Sequence, residues 1–282
     1  DKRTRKKSEH AIEDYDKLVE EDVQHQENEY ASDYRGHVQN RQSSLRVEPI
    51  YVISYHTQKS ELNTYVPYSQ EVENLNTARL LPATLYLTNH EGGLDASQTD
   101  EHMNSIAQTT AALESKPHDT TLLLRRALDY YHVRDFENAI ADMNDYLQRN
   151  PHSQVGLMLR AQCRFAQLEV SQTTSSASDL RLGYLMVLQD YNRALEEHPE
   201  SPYLLYNTAC LMVQLSDYAG AIRMFDQALT LDSKFSDAYY SRGVAHILAG
   251  DTEQGLTDLS QAGELGLYTA YSLIKHYSTQ KK

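Results

Sequence analysis

Tryptophan is absent from the 282-residue chain, phenylalanine occurs four times and cysteine twice. Cys163 and Cys210 are too few for a disulfide framework and lack the spacing of metal ligands. Both fall on apolar helical faces, where a thiol acts as a small hydrophobe. A bridge between them stays open at this point, so cysteine usage leaves the redox compartment undecided. No apolar run approaches the ~18 residues needed to span a bilayer. Positive charge is scarce as well: 26 Lys and Arg face 40 Asp and Glu, a formal charge of -14. Such a field repels phosphate, which argues against nucleic acid and anionic membranes as partners.

Catalytic patterns are also missing. His90-Glu91-Gly92-Gly93 opens like a zinc-protease helix, but Leu94 stands where a second His is required. No phosphate-loop Lys-Ser/Thr follows that Gly pair, which is expected to make a turn. There is no Gly-x-Ser-x-Gly elbow and no Cys/His pairing by spacing. The twelve histidines are scattered, and His118 and His152, each after a helix-ending Pro, are expected to hydrogen-bond in turns. No catalytic residue, metal or cofactor is therefore expected.

What is present is an adequate core, with 40% apolar and 23% charged residues, and an unusual supply of 21 tyrosines. The chain starts at Asp1 without an initiator Met and is expected to be a processed or truncated piece.

Proline, though rare, marks a period. Pro117 and Pro151 lie 34 residues apart, and Pro199 follows after 48, which is 34 plus an insertion of 14. Repeats accordingly run 120–153, 154–201, 202–235 and 236–269. Small residues recur where two helices must cross closely: Ala127, Ala161, Ala209 and Gly243 at place eight; Ala139, Val187, Ala221 and Gly255 at place twenty. Large ones fill the complementary places, such as Leu123, Leu157, Leu205 and Tyr239 at place four. Asp135-Phe-Glu-Asn-Ala-Ile140 and Asp217-Tyr-Ala-Gly-Ala-Ile222 each put a capping Asp before a second helix.

These residues resemble the tetratricopeptide repeat (TPR), a 34-residue helix–turn–helix unit, over about 150 of the 282 residues. Departures occur at Ser233 and Leu267 in place of the closing Pro, at Thr252 in place of an aromatic, and at bulky Tyr146 where Ala is usual. The resemblance implies a mainly α fold: a TPR α-solenoid of about four repeats, with a C-terminal capping helix at 268–277 and a small β-containing N-terminal lead-in. Leu273 and Ile274 of the cap are expected inward, with Lys275, His276 and Lys281 outward. The repeat domain is expected over 95–282, opening with a capping helix at 96–115. The polar insertion Ser171–Ser178 is expected as a mobile loop at about 169–179.

Residues 1–94 have a different character. Five Lys and Arg within residues 1–7 precede ten acidic residues between Glu9 and Asp33, a pattern for a polar helix with a solvated face. Leu45–Tyr55 and Thr84–Thr88 are β-branched and aromatic, which predicts a small strand pair. Pro49 restricts the first strand to an edge or an end. This lead-in followed by four repeats also resembles the C-terminal half of exported bacterial TPR proteins of unassigned function. That likeness implies a periplasmic or cell-envelope setting, the cytoplasm being the alternative, and further repeats upstream.

In the TPR family the first helix of each repeat lines an inner groove. Carried onto this chain, the groove residues are Leu124, Arg125, Leu128 and Tyr131; Met158 and Gln162; Tyr203, Tyr206 and Asn207; and Asp237, Tyr240 and Val244. This wall is apolar and rich in Tyr, which combines a large contact area with a polar tip. Chaperone-tail receptors of the family hold a carboxylate with Lys and Asn; the matching positions are Leu124, Leu128, Leu159, Tyr203 and Asn207, of which only Asn207 fits. The resemblance thus implies a non-enzymatic scaffold that binds a protein or peptide segment in the groove. The alternatives are a structural, self-associating envelope component and an enzyme with its site in the lead-in. Whether the lead-in itself fills the groove stays open.

Overall fold

A computed structural model describes residue 47, Ile53–His56, Thr84–Leu87 and residues 94–279. The acidic and basic N-terminal runs, the His90–Gly93 turn and Lys281 lie outside the described residues. The chain divides into two compact units, one of residues 48–216 and one joining 217–282 with 1–47.

The first unit holds strands β1 (Ile53–His56) and β2 (Thr84–Leu87), paired antiparallel with Ile53 opposite Leu87 and His56 opposite Thr84. Helix α1 (Ala96–Ser115) follows, opened by a reciprocal capping box between Asp95 and Gln98. Then come α2 (Thr120–His132) and α3 (Phe136–Arg149), α4 (Gln154–Ser171) and α5 (Ala177–Glu197), and α6 (Pro202–Gln214). Each start has a local cause: Asp119, Asp135, Ser153, Ser176 and Ser201 accept backbone N–H bonds from the first turns of α2 to α6. The second unit contains α7 (Tyr218–Leu231), α8 (Ser236–Leu248), α9 (Thr252–Glu264) and α10 (Thr269–Thr279). In α10 Leu273 and Ile274 are buried while Lys275 and His276 are exposed.

Helix pairs pack because small residues meet at the crossings. Ala127, Ala139, Ala161 and Val187 are fully buried in one unit, and Ala221, Ala228 and Ala262 in the other. Between α8 and α9 two glycines meet: a β-carbon on Gly243 would stand 2.8 Å from the Gly255 carbonyl oxygen. The turn inside a repeat also recurs, with a left-handed residue at the same place in three of them: Arg134 at φ 63°, Ser216 at 65° and Gly250 at 92°. The amides of Asp135 and Asp251 then reach back to the carbonyls of Tyr130 and His246, both at 2.8 Å, closing the helix ends.

The insertion takes a different form from the expected loop. Only residues 172–176 separate α4 from α5, and the remaining insertion lengthens both helices. α4 has 18 residues and α5 21, against 13 or 14 in the other repeat helices. Helix is favoured here because Ser176 caps α5, and Gly183 admits Leu168 to a contact that a β-carbon would block at 2.3 Å. The extension leaves Val170, Leu182, Leu185 and Met186 exposed.

Candidate functional site

The expected groove positions divide into buried and half-buried sets. In α2, Leu124 and Leu128 are buried, while Arg125 and Tyr131 are half-buried. In α4, Met158 is 4% exposed and Gln162 1%. In α6, Tyr206 and Asn207 are buried and Tyr203 is half-buried. The second unit carries Val244 buried, with Asp237 and Tyr240 half-buried, on α8.

Burial on α4 and α6 runs around the helix. Every residue from Ser153 to Leu159 is buried, and so is every residue from Leu204 to Leu211. A first helix that packs only on its own second helix and its neighbours keeps a wetted inner side; one buried all round has a further layer upon it. For α4 the neighbours are α3 and α5, the flank of α2, and strand β1.

Polar groups stand out on this apolar face. Gln162 donates from Nε2 to the Tyr131 hydroxyl, tying α4 to α2. Its Oε1 is buried and, among the described residues, has no donor. Both amide atoms of Asn207 are likewise buried without a hydrogen-bond partner among the described residues. Each such atom costs about 1–3 kcal/mol relative to a paired one. Arg125, the expected cation of the groove, is turned to α1: its Nε donates to Ser105 Oγ at 3.2 Å.

Ser105 belongs to a polar cluster that sequence spacing did not indicate. Its hydroxyl donates to Asp129 at 2.6 Å, and His102 Nδ1 lies 2.8 Å from the other Asp129 oxygen. The rings of His102 and His132 stack at 4.6 Å. Burial, and after it the nearby His102, hold the His132 pKa below its ordinary value. The residues come from α1 and α2, 24 to 30 positions apart, so no short motif announces them.

A second unforeseen feature repeats along the chain. Arg126 grips Asp142 through two bonds and reaches Thr110. Arg160 does the same with Asp190 and Asn144, and Arg242 with Asp258 and Asp226. The Arg sits at place seven of a first helix and the Asp at place twenty-three of its second. The third repeat breaks the series with Thr208 and Met224. Arg followed by Asp 16 residues on, or 30 where the insertion intervenes, was the signal available in the sequence.

Cys163 and Cys210 are buried thiols outside any disulfide, so the bridge left open by the sequence is not formed. Burial pushes the Cys163 pKa far up, leaving an unreactive thiol. Among the described residues no group of three or more His, Cys, Asp or Glu is placed to hold a metal ion. His152 pairs with Glu197 at 2.6 Å on the surface. None of the described helices is long and apolar enough to cross a membrane.

Successive helices, most of them 13 or 14 residues long and joined by short turns, define a helical-repeat fold of the protein-interaction scaffold class. Residues 206–262 match the family model of the tetratricopeptide repeat. The chain is 27% identical over 172 residues to the DnaJ protein P58IPK homolog B of Oryza sativa subsp. japonica, across 58% of this chain and 36% of that protein. It is 26% identical over 171 residues to the DnaJ protein P58IPK homolog of Arabidopsis thaliana, across 58% and 34%. Protein FlbA of Caulobacter vibrioides is 35% identical over 69 residues, 24% of this chain and 12% of that protein. The chain thus spans about a third of the length of the two DnaJ relatives. A crystal structure of MamA superposes with a TM-score of 0.53 at 15% identity, over 63% of this chain and 98% of that one, which is a likeness of fold.

Proposed function

We propose that the chain is a non-enzymatic scaffold whose first-helix face on α2, α4 and α6 binds an extended protein segment through its main chain. The observation that carries this reading is the set of buried amide atoms without partners, Gln162 Oε1 and both polar atoms of Asn207, on an otherwise apolar wall. A peptide main chain offers the N–H groups and carbonyls those atoms need, whatever its side chains. Apolar contact with Met158, Leu128 and Tyr206 supplies the area. The absence of a Lys on this face argues against recognition of a terminal carboxylate.

The test is selection of peptide binders against the full chain from a random library, followed by titration of Asn207→Leu and Gln162→Leu. Binding is expected to weaken at least about tenfold in each, the loss of one or two buried hydrogen bonds, and to survive about 0.5 M salt because the contact is not chiefly ionic. Binders indifferent to both substitutions, or lost in salt, would move the site to the acidic outer surface.

A second reading, self-association, draws on exposed Leu182, Leu185 and Met186, which share one side of the lengthened α5. Sedimentation of the wild type and of Leu182→Glu/Met186→Glu distinguishes it: an oligomer dissolved by the double substitution favours this surface. A cell-envelope location rests on the likeness of the repeat arrangement to exported bacterial proteins, and fractionation of the native cells tests it.

A further inference from the structure

Among the described elements, strand β1 packs on α4 although it does not belong to the repeats. Helices α3 and α5 account for the sides of α4 that face second helices, and α2 for a flank. The inner places Val155, Met158, Leu159 and Gln162 are nonetheless between 0% and 4% exposed. Strand β1 also belongs to the same compact unit as α2 to α6. A sheet of two strands has little stability alone and depends on a helix surface to pack against. The strand and the inner side of α4 therefore each supply what the other lacks.

The fit is incomplete, and that matters. Gln162 Oε1 on α4 and the Asn207 amide on α6 are out of water without a hydrogen-bond partner among the described residues. A segment whose main chain did supply those bonds would hold the face more tightly than the present cover. The sequence of β1 and of the four residues before it describes such a segment. Pro49-Ile-Tyr-Val-Ile-Ser-Tyr-His56 is uncharged if His56 is neutral, β-branched and rich in Tyr, matched to a face short of charge.

We propose that β1 is an internal pseudo-ligand of the α2–α4 face, and that external segments bind by exchanging with it. This rests on the groove reading given above. Those partners are extended, uncharged segments rich in β-branched residues and Tyr. The affinity measured for the intact chain is the intrinsic affinity reduced by the small fraction of molecules in which β1 is away.

The experiment uses the full chain and a labelled synthetic peptide copying residues 48–58. Ser54→Pro removes an N–H from the middle of β1 and disfavours its pairing with Tyr86. Ser54→Thr serves as the conservative control, and unchanged helical circular dichroism verifies that the repeats persist. The peptide is expected to bind Ser54→Pro at least ten times more tightly than wild type or Ser54→Thr, and Met158→Glu added to Ser54→Pro is expected to abolish binding. Equal affinity for wild type and Ser54→Pro overturns internal occupancy while leaving the groove reading intact. Binding that ignores Met158→Glu overturns the groove reading itself. Hydrogen exchange on unaltered protein gives a second measurement: β1 amides are expected to exchange faster when a library-selected groove binder saturates the chain. Unchanged exchange in that complex also overturns the exchange model.

Discussion

Gly156 sits beneath the ring of Tyr146: a β-carbon on Gly156 would come within 2.9 Å of two ring carbons. Tyr146 is the bulky residue at a place where the repeat ordinarily has Ala, and the glycine of the next helix makes room for it. Size has been exchanged across the α3–α4 contact. Gly156→Ala is expected to destabilise the chain by about 1–3 kcal/mol through overpacking. Tyr146→Phe should not relieve the strain, whereas Tyr146→Leu combined with Gly156→Ala should recover part of it. Urea midpoints of the three variants check this, and a neutral Gly156→Ala would contradict the contact.

Asp190 is 1% exposed and receives Arg160 and Arg164 together. Its removal leaves two guanidinium groups facing each other with no anion, so Asp190→Ala should cost about 3–5 kcal/mol. His152→Ala breaks the exposed pair with Glu197 and should stay within about 0.5 kcal/mol. Denaturant titration of both variants is the measurement; similar losses would refute the distinction drawn from burial.

Asn207→Leu should separate stability from function. Replacing a buried, unpartnered amide by an apolar side chain of similar volume is expected to stabilise the free protein by about 1–2 kcal/mol. The same change removes hydrogen bonds available to a ligand and should weaken peptide binding. Thermal melting and peptide titration of one sample check both halves. A loss of stability would mean that Asn207 is paired within the fold.

Ser216 adopts a left-handed conformation at φ 65° in the position that glycine holds in the last repeat. Ser216→Gly is expected to raise stability by about 0.5–1 kcal/mol, because glycine pays no steric penalty there. Arg134 has the same conformation but lies over the Phe136 ring at 5.5 Å, so Arg134→Gly should gain less. Melting temperatures rank the pair.

The His132 imidazole should make stability fall in mild acid. Its pKa in the fold is held below 6.5 by burial and then by His102, with Asp129 opposing them. The unfolded chain takes up the proton first, so this contribution is present above about pH 6.5 and is lost as pH falls from there toward the folded pKa. The urea midpoint should drop between pH 7.5 and 5.5, and His132→Gln should reduce that drop. An unchanged drop would assign it to other groups.

The repeat architecture was legible in local pattern. Period, capping residues and small crossing residues are local, and outside the insertion they recur every 34 positions. Tertiary structure decided what no local pattern encodes. The insertion became helix because capping by Ser176 and packing of Leu168 against Gly183 outweighed its polar composition. The Arg–Asp ladder and the His102–Asp129–His132 cluster needed residues from different helices to meet. The groove changed most. Sequence placed Met158 and Gln162 on one kind of face, but whether that face is wet or covered depends on what the fold packs upon it. Burial is a property of what packs on a residue, and only the folded chain brings β1 to α4.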